Sequence, residues 1–177
     1  MIKALRRLSY LAVALFAVWL AASYYVMRAP VPELAPLAGQ IDRIVIEKTA
    51  RQMTLFKDGE AVRTYSVALG FEPDGDKVRQ GDGKTPEGIY KIDRRNSQSA
   101  FHLSLGINYP LPEDRARAAA GGYNPGGDIF IHGQPNAMPD LTVLRGDWTA
   151  GCIAVSNAEM REIFKATPIG TVVEIRG

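Results

Sequence analysis

The 177-residue sequence holds one cysteine and two histidines. A lone cysteine excludes an internal disulfide, and with so few histidines it leaves too little for a Cys-rich structural zinc site. Cys152 is therefore either a buried small hydrophobe, the usual fate of a free cysteine, or a residue that does chemistry. The sequence also lacks a surplus of positive charge in its main part. Of 21 basic residues, Lys3, Arg6, Arg7 and Arg28 lie near the N-terminus, so residues 31–177 carry 17 bases against 19 acids, a formal charge of −2. That balance gives no electrostatic footprint for nucleic acid. Internal repeats and low-complexity tracts are absent as well. What is present is a composition of 46 % apolar and 23 % charged residues, enough for a real core in one domain plus a targeting segment.

The N-terminus opens with three positive charges, followed by 20 residues without charge from Leu8 to Met27. As a helix this run spans roughly 30 Å, about one hydrocarbon core. The basic residues before it orient the N-terminus to the cytoplasm and the remainder outside. The run is longer than the apolar region of a signal peptide, and Tyr24, Tyr25, Val26, Met27 and Arg28 make poor cleavage surroundings. Residues 1–28 are expected to be a retained anchor; a cleaved signal segment and a buried soluble helix are the alternatives. Residues 29–40, with Pro30, Pro32, Pro36 and Gly39, read as a short stiff linker. The folded domain is expected over 41–177.

Within that domain, β-branched and alternating stretches predict strands at 41–49, 52–57, 61–69, 88–92, 101–107, 128–132 and 171–175, with Asp58-Gly59 as a hairpin turn. Two helices are expected. Pro112 to Ala120 has acids in its first turn and Gly121-Gly122 after it. Ser156 to Lys165 starts with a capping box, Ser156 with Glu159, and groups Met160, Ile163 and Phe164 on one face. Segments 72–85 and 121–127 read as surface loops. The fold class is mainly β, a sandwich or partly closed barrel with short accessory helices.

Two stretches carry the chemistry: Ile129 to Pro135 (IFIHGQP) and Asp147 to Asn157 (DWTAGCIAVSN). A histidine ending an apolar strand, brought against a loop cysteine, makes an activated thiol nucleophile with a proton carrier. Glycines beside both let backbone N–H groups approach a developing oxyanion. Taken singly, His132 and His102 are ordinarily structural histidines and a Gly-Cys pair is ordinarily a turn. The pairing of His132-Gly133 with Gly151-Cys152 raises the catalytic reading without settling it.

Those residues also resemble the L,D-transpeptidase catalytic domain family, cysteine enzymes of bacterial peptidoglycan. The family pattern is a His-Gly, a spacer, then Ser/Thr-His-Gly-Cys and an apolar residue; His132-Gly133 and Thr149-Ala150-Gly151-Cys152-Ile153 resemble it. Gly83 to Tyr90 (GKTPEGIY) resembles the family's strand entry, and Pro168 to Val173 its closing strand. Two positions depart from the pattern: Ala150 replaces the usual histidine and Ala154 the usual arginine. The Asp-Trp-Thr-x-Gly-Cys-Ile-Ala run resembles a branch that includes a hydrolase releasing lipoprotein from peptidoglycan.

The resemblance implies two-step acyl transfer on a stem peptide through a Cys152 acyl-enzyme, with His132 as proton carrier and the Gly133 carbonyl orienting the imidazole. Gly151 and Cys152 would supply oxyanion N–H groups. Thr149 is either a hydrogen-bonding neighbour of the nucleophile or a turn hydroxyl; Trp148 either walls the cleft or plugs the core. Asp147 either recognises a substrate ammonium or is solvated, and the charged 72–85 loop is either a rim or plain surface. No metal or organic cofactor is implied. The implied partners are peptidoglycan stem peptides and, for the hydrolase branch, an envelope protein linked to them. The implied location is a bacterial inner membrane, anchored through residues 8–27 with the domain outside, or the periplasm after cleavage. Carboxypeptidase or amidase action and an inactive peptidoglycan-binding envelope protein are the alternatives.

Overall fold

The Asp58-Gly59 turn has positive φ at both residues, 53° and 83°, the conformation that matches the twist of a two-strand hairpin. Strands β1 (Arg43–Glu47), β2 (Gln52–Lys57) and β3 (Glu60–Ser66) form an antiparallel meander around it. Their inward positions, Ile44, Ile46, Met53 and Leu55, are fully buried, and each contributes roughly 1.5–3 kcal/mol by leaving water. Onward come β4 (Gly88–Ser99), β5 (His102–Ile107), helix α1 (Pro112–Ala120), β6 (Phe130–His132), β7 (Ile153–Ala154), helix α2 (Asn157–Ala166) and β8 (Val172–Arg176). The strand order is β3-β2-β1-β8-β4-β5-β6-β7. The C-terminal strand thus lies inside the sheet, parallel to β1 and antiparallel to β4.

The two ends of this curled sheet meet. Just beyond β3, Ala68 exchanges two backbone hydrogen bonds with Ala154 of β7, at 2.9 and 2.8 Å. Next to them, the Thr149 N–H donates to Leu69 O and the Phe71 N–H to Thr149 O. A mainly β, partly closed barrel with two short helices is the result, and the closure seam carries the turn before Cys152. Helix α2 is capped as its sequence requires: Ser156 Oγ accepts from the Glu159 N–H and Glu159 Oε2 from the Ser156 N–H. Its Met160 and Ile163 enter the core, while Phe164 stays half-buried beneath the Arg95 guanidinium.

Several strands differ from expectation. β4 runs to Ser99, seven residues past the expected end at Ile92, because pairing with β5 satisfies its backbone although most of its side chains are exposed. β6 begins at Phe130, later than the expected start at 128, and β7 is a two-residue strand that the sequence did not suggest. The computed structural model describes residues 14–19 and 36–177, and residues 14–19 are helical. Most of the expected membrane segment 8–27, and positions 29–35 of the linker, lie outside the described residues. Among the described residues no helix is long and apolar enough to cross a membrane.

Candidate active site

Three strands lay the floor of the site. Register sets Arg94 of β4 beside Gly106 of β5, and Gly106 beside Phe130 of β6. One step along, Asn96, Ser104 and His132 form a second row, with Ala154 of β7 beside His132. Residues two apart share a face, so Phe130 and His132 project together. Cys152, two residues before Ala154, arrives level with Phe130. The Phe130 N–H donates to Cys152 Sγ at 3.4 Å, and Sγ lies 3.5 Å from the Asp128 carbonyl. A cavity of about 450 Å³ opens over this floor, with Phe101, Phe130, His132, Trp148, Thr149 and Cys152 in its walls.

His132 is only 4 % exposed, and its Nδ1 sits 2.7 Å from the Gly133 carbonyl. A carbonyl can only accept, so Nδ1 carries the proton and the neutral ring keeps its lone pair on Nε2. Burial holds this imidazole below its ordinary value, against the weaker opposing pull of the Gly133 bond. Burial likewise pushes the Cys152 thiol up, and the nearby Asp128 adds to the effect, while the Phe130 N–H and the Lys77 ammonium oppose it. Both shifts favour the uncharged form, a neutral thiol and a neutral imidazole. Phe101 and Trp148 flank the imidazole with ring centroids 4.6 and 5.8 Å away. Trp148 thus walls the cavity and fixes the ring it faces.

Gly133 is required by space. A Cβ there would lie 2.5 Å from Asn157 Oδ1, the atom that accepts the Gln134 N–H. Gly151, with φ +132°, is required twice over, since a Cβ would also meet the Lys84 carbonyl at 2.6 Å. Thr149 braces the turn that bears Cys152: its Oγ1 accepts from the Gly151 N–H and donates to the Cys152 carbonyl at 2.7 Å. This bears on one expectation: the Gly151 N–H, expected beside Cys152 as an oxyanion donor, is instead committed to Thr149 Oγ1, whereas the Cys152 N–H makes no hydrogen bond with another described residue.

Asp147 is also corrected. Its carboxylate receives the Arg51 Nε and Nη2 at 3.2 and 3.0 Å and the Leu69 N–H at 2.9 Å, and it borders a different cavity, so it has no place in the Cys152 cleft. Ala150 is exposed and borders the cleft, whereas Ala154 is buried at the closure seam. His102 lies outside the cleft lining, 3.3 Å from Arg161 Nη1. The 72–85 loop is more than charged surface. Lys77 is buried with its ammonium on Asp82 Oδ1 at 2.7 Å and Arg79 O at 3.0 Å. Sequence reading missed Asn96, Phe101, Ser104, Asp128 and Phe130 as cleft residues; the one available signal was strand parity, which puts Phe130 on the face of His132.

The sequence model of the YkuD family, described as the L,D-transpeptidase catalytic domain, matches residues 41–175. This chain belongs to that family. Over 135 residues it is 30 % identical to "Putative L,D-transpeptidase YafK" of Escherichia coli K12, covering 73 % of this chain and 48 % of that protein. It is 26 % identical over 157 residues to "Putative L,D-transpeptidase YqjB" of Bacillus subtilis, covering 86 % and 82 %. Among solved structures, the helical cell shape determining protein Pgp2 of Campylobacter jejuni (K307A mutant) superposes with a TM-score of 0.61 at 24 % identity, covering 78 % of this chain and 47 % of that one. The L,D-transpeptidase of Xylanimonas cellulosilytica superposes with a TM-score of 0.51 at 17 % identity, covering 81 % and 64 %. The chain spans about half the length of YafK and of the Pgp2 structure. The structural likenesses establish the L,D-transpeptidase fold.

Proposed function

We propose that this domain is a cysteine acyltransferase acting on peptidoglycan stem peptides, with Cys152 as nucleophile and His132 as general base. The carrying observation is the fixed tautomer: Gly133 O holds the Nδ1 proton, leaving Nε2 as a proton acceptor in the wall of the cavity that Cys152 enters. As Sγ bonds to the acyl carbon, the thiol proton passes to Nε2 and the carbonyl electrons move onto oxygen, beside the Cys152 N–H. Collapse expels the amine, which takes the proton back from the imidazolium, and a thioester remains on Cys152. An acceptor amine then gives a cross-link and restores the thiol; water in its place gives hydrolysis. Because thiol and imidazole both rest neutral, proton transfer accompanies attack. The same reading places the domain outside a bacterial inner membrane, tethered through residues 8–27.

Intact-mass spectrometry tests this with tetrapeptide muropeptides, with and without an acceptor amine, beside Cys152→Ala. A Cys152-dependent acyl adduct and a new cross-link are the expected results. Cleavage by water alone would assign the hydrolase activity instead. Absence of both adduct and product, even on protein-linked peptidoglycan fragments, would overturn the acyl-transfer reading in favour of an inactive binding protein.

A further inference from the structure

Beside the nucleophile stands a charge pair that stability does not explain. Asp128 has its carbonyl against Cys152 Sγ, a left-handed φ of +55° and a side chain 82 % exposed. Its Oδ1 receives Arg94 Nη1 at 3.1 Å. Arg94 is itself held in place, with Nε on Asp93 Oδ1 at 3.1 Å and its guanidinium 4.9 Å from the centre of the Phe130 ring. The sheet makes room for this arrangement. Arg94, Gly106 and Phe130 lie in register across three strands, and a Cβ on Gly106 would come 2.7 Å from Arg94 Nε and 3.0 Å from Phe130 Cε1. An exposed ion pair typically contributes little to stability, so an ordered one at the cleft mouth calls for another role.

We infer that Asp128 and Arg94 together bind an amino-acid head group on the substrate, the ammonium on the Asp128 carboxylate and the carboxylate on the Arg94 guanidinium. A side-by-side acid and base present complementary charges to a zwitterion, and a guanidinium suits a carboxylate in particular. Asp128 Oδ2 and Arg94 Nη2 make no hydrogen bond with another described residue, so each charge keeps an atom for the ligand. Asp128 borders the aromatic cavity and also a second, polar cavity of about 590 Å³ lined by Lys77, Gln80 and Asn124. A head group bound there flanks the reacting carbonyl without occupying the space over Sγ. The inference rests on the acyl-transfer reading for its substrate, a stem peptide whose side chain ends in such a head group.

Binding and turnover separate the two claims. Calorimetry on the full chain carrying Cys152→Ala reads recognition without chemistry. The probes are a diaminopimelate tetrapeptide stem, the same stem with its side-chain amine acetylated, and the same stem with its side-chain carboxyl amidated. Each modification is expected to weaken binding about tenfold, the scale of one charge-assisted hydrogen bond at a partly exposed site. Adding Asp128→Asn should abolish the penalty for acetylation, and adding Arg94→Gln the penalty for amidation. Penalties that persist in these variants, or that are absent from the Cys152→Ala parent, overturn the inference. Discrimination in binding with no acyl adduct from the wild type would retain the head-group site and overturn the acyl-transfer reading. An adduct without discrimination would do the reverse.

Discussion

Cys152 and His132 are tuned by burial before they are tuned by each other. The thiol is pushed up and the imidazole down, both chiefly through loss of water. In the folded protein the neutral thiol persists to higher pH than in the unfolded chain, so this contribution to stability is lost as pH rises past the ordinary cysteine range. For the histidine the sign is opposite: the unfolded chain takes up a proton near pH 6.5 while the folded one resists, so stability falls as pH drops below that value. Iodoacetamide labelling of Cys152 against pH is expected to show a midpoint above about 8.5, the ordinary thiol value. His132→Gln should leave that midpoint in place while slowing acyl-enzyme formation by roughly 10²–10⁴-fold, the usual worth of a positioned base. A wild-type midpoint below neutrality that rises in His132→Gln would reveal a resting thiolate–imidazolium pair and contradict the neutral-pair account.

At the scale of elements, the turn bearing Cys152 depends on a loop held from behind by a buried lysine. Lys48, just after β1, gives its ammonium to Gly75 O at 2.6 Å, Thr85 O at 3.0 Å and Glu87 Oε1 at 2.8 Å, with the side chain 3 % exposed. Thr85 Oγ1 in turn accepts the Gly70 N–H, and Gly70 and the Lys84 carbonyl both crowd Gly151. Lys48→Met strands the buried Thr85 carbonyl and takes the ammonium from Gly75 O and the half-buried Glu87 carboxylate, so a loss of about 3 kcal/mol is expected in urea unfolding. Glu87→Gln, which keeps a hydrogen-bond acceptor for the lysine, should cost less; equal stability of Lys48→Met and the wild type would remove Lys48 from this account. Little of that support was legible in the sequence. Charged residues in a Gly- and Asp-rich stretch read as solvated; the groups that hold Lys48 lie 27 to 39 positions away, and those that hold Lys77, Asp82 Oδ1 and Arg79 O, are near in sequence but form no pattern that marks a buried lysine. The Asp58-Gly59 hairpin and the Ser156 cap were legible because their causes are local. The polar end of β4 was not, since its strand state comes from pairing with β5 and its exposed side chains give no core-facing pattern. His132 and Cys152 stood out through scarcity, flanking glycines and family resemblance, while Asp147 misled because Arg51, its partner, is 96 positions distant.

For the whole molecule, the decisive feature is that the last strand of the chain lies in the middle of the sheet. β8 pairs with β1 on one side and β4 on the other, and its Val173 and Ile175 are buried at 0 and 2 % exposure. The site's strands β4 to β7 therefore connect to the β1–β3 meander across β8 along one flank and across the Ala68–Ala154 seam along the other. Removing β8 exposes the edges of both neighbours and discards two core side chains worth roughly 1.5–3 kcal/mol each, against a net stability of only about 5–15 kcal/mol for a domain. The core cluster falls wholly within the Pro36–Gly177 unit, with Leu37 packed against it. A fragment of residues 36–177 is accordingly expected to unfold in one cooperative urea transition and to label Cys152 with the pH profile of the full chain. A fragment of residues 36–170 should show no cooperative transition and label like an unfolded thiol. Cooperative unfolding of the shorter fragment would mean that the seam and the β4–β7 face hold the cleft without β8, and the active-site floor would then count as a folding unit of its own.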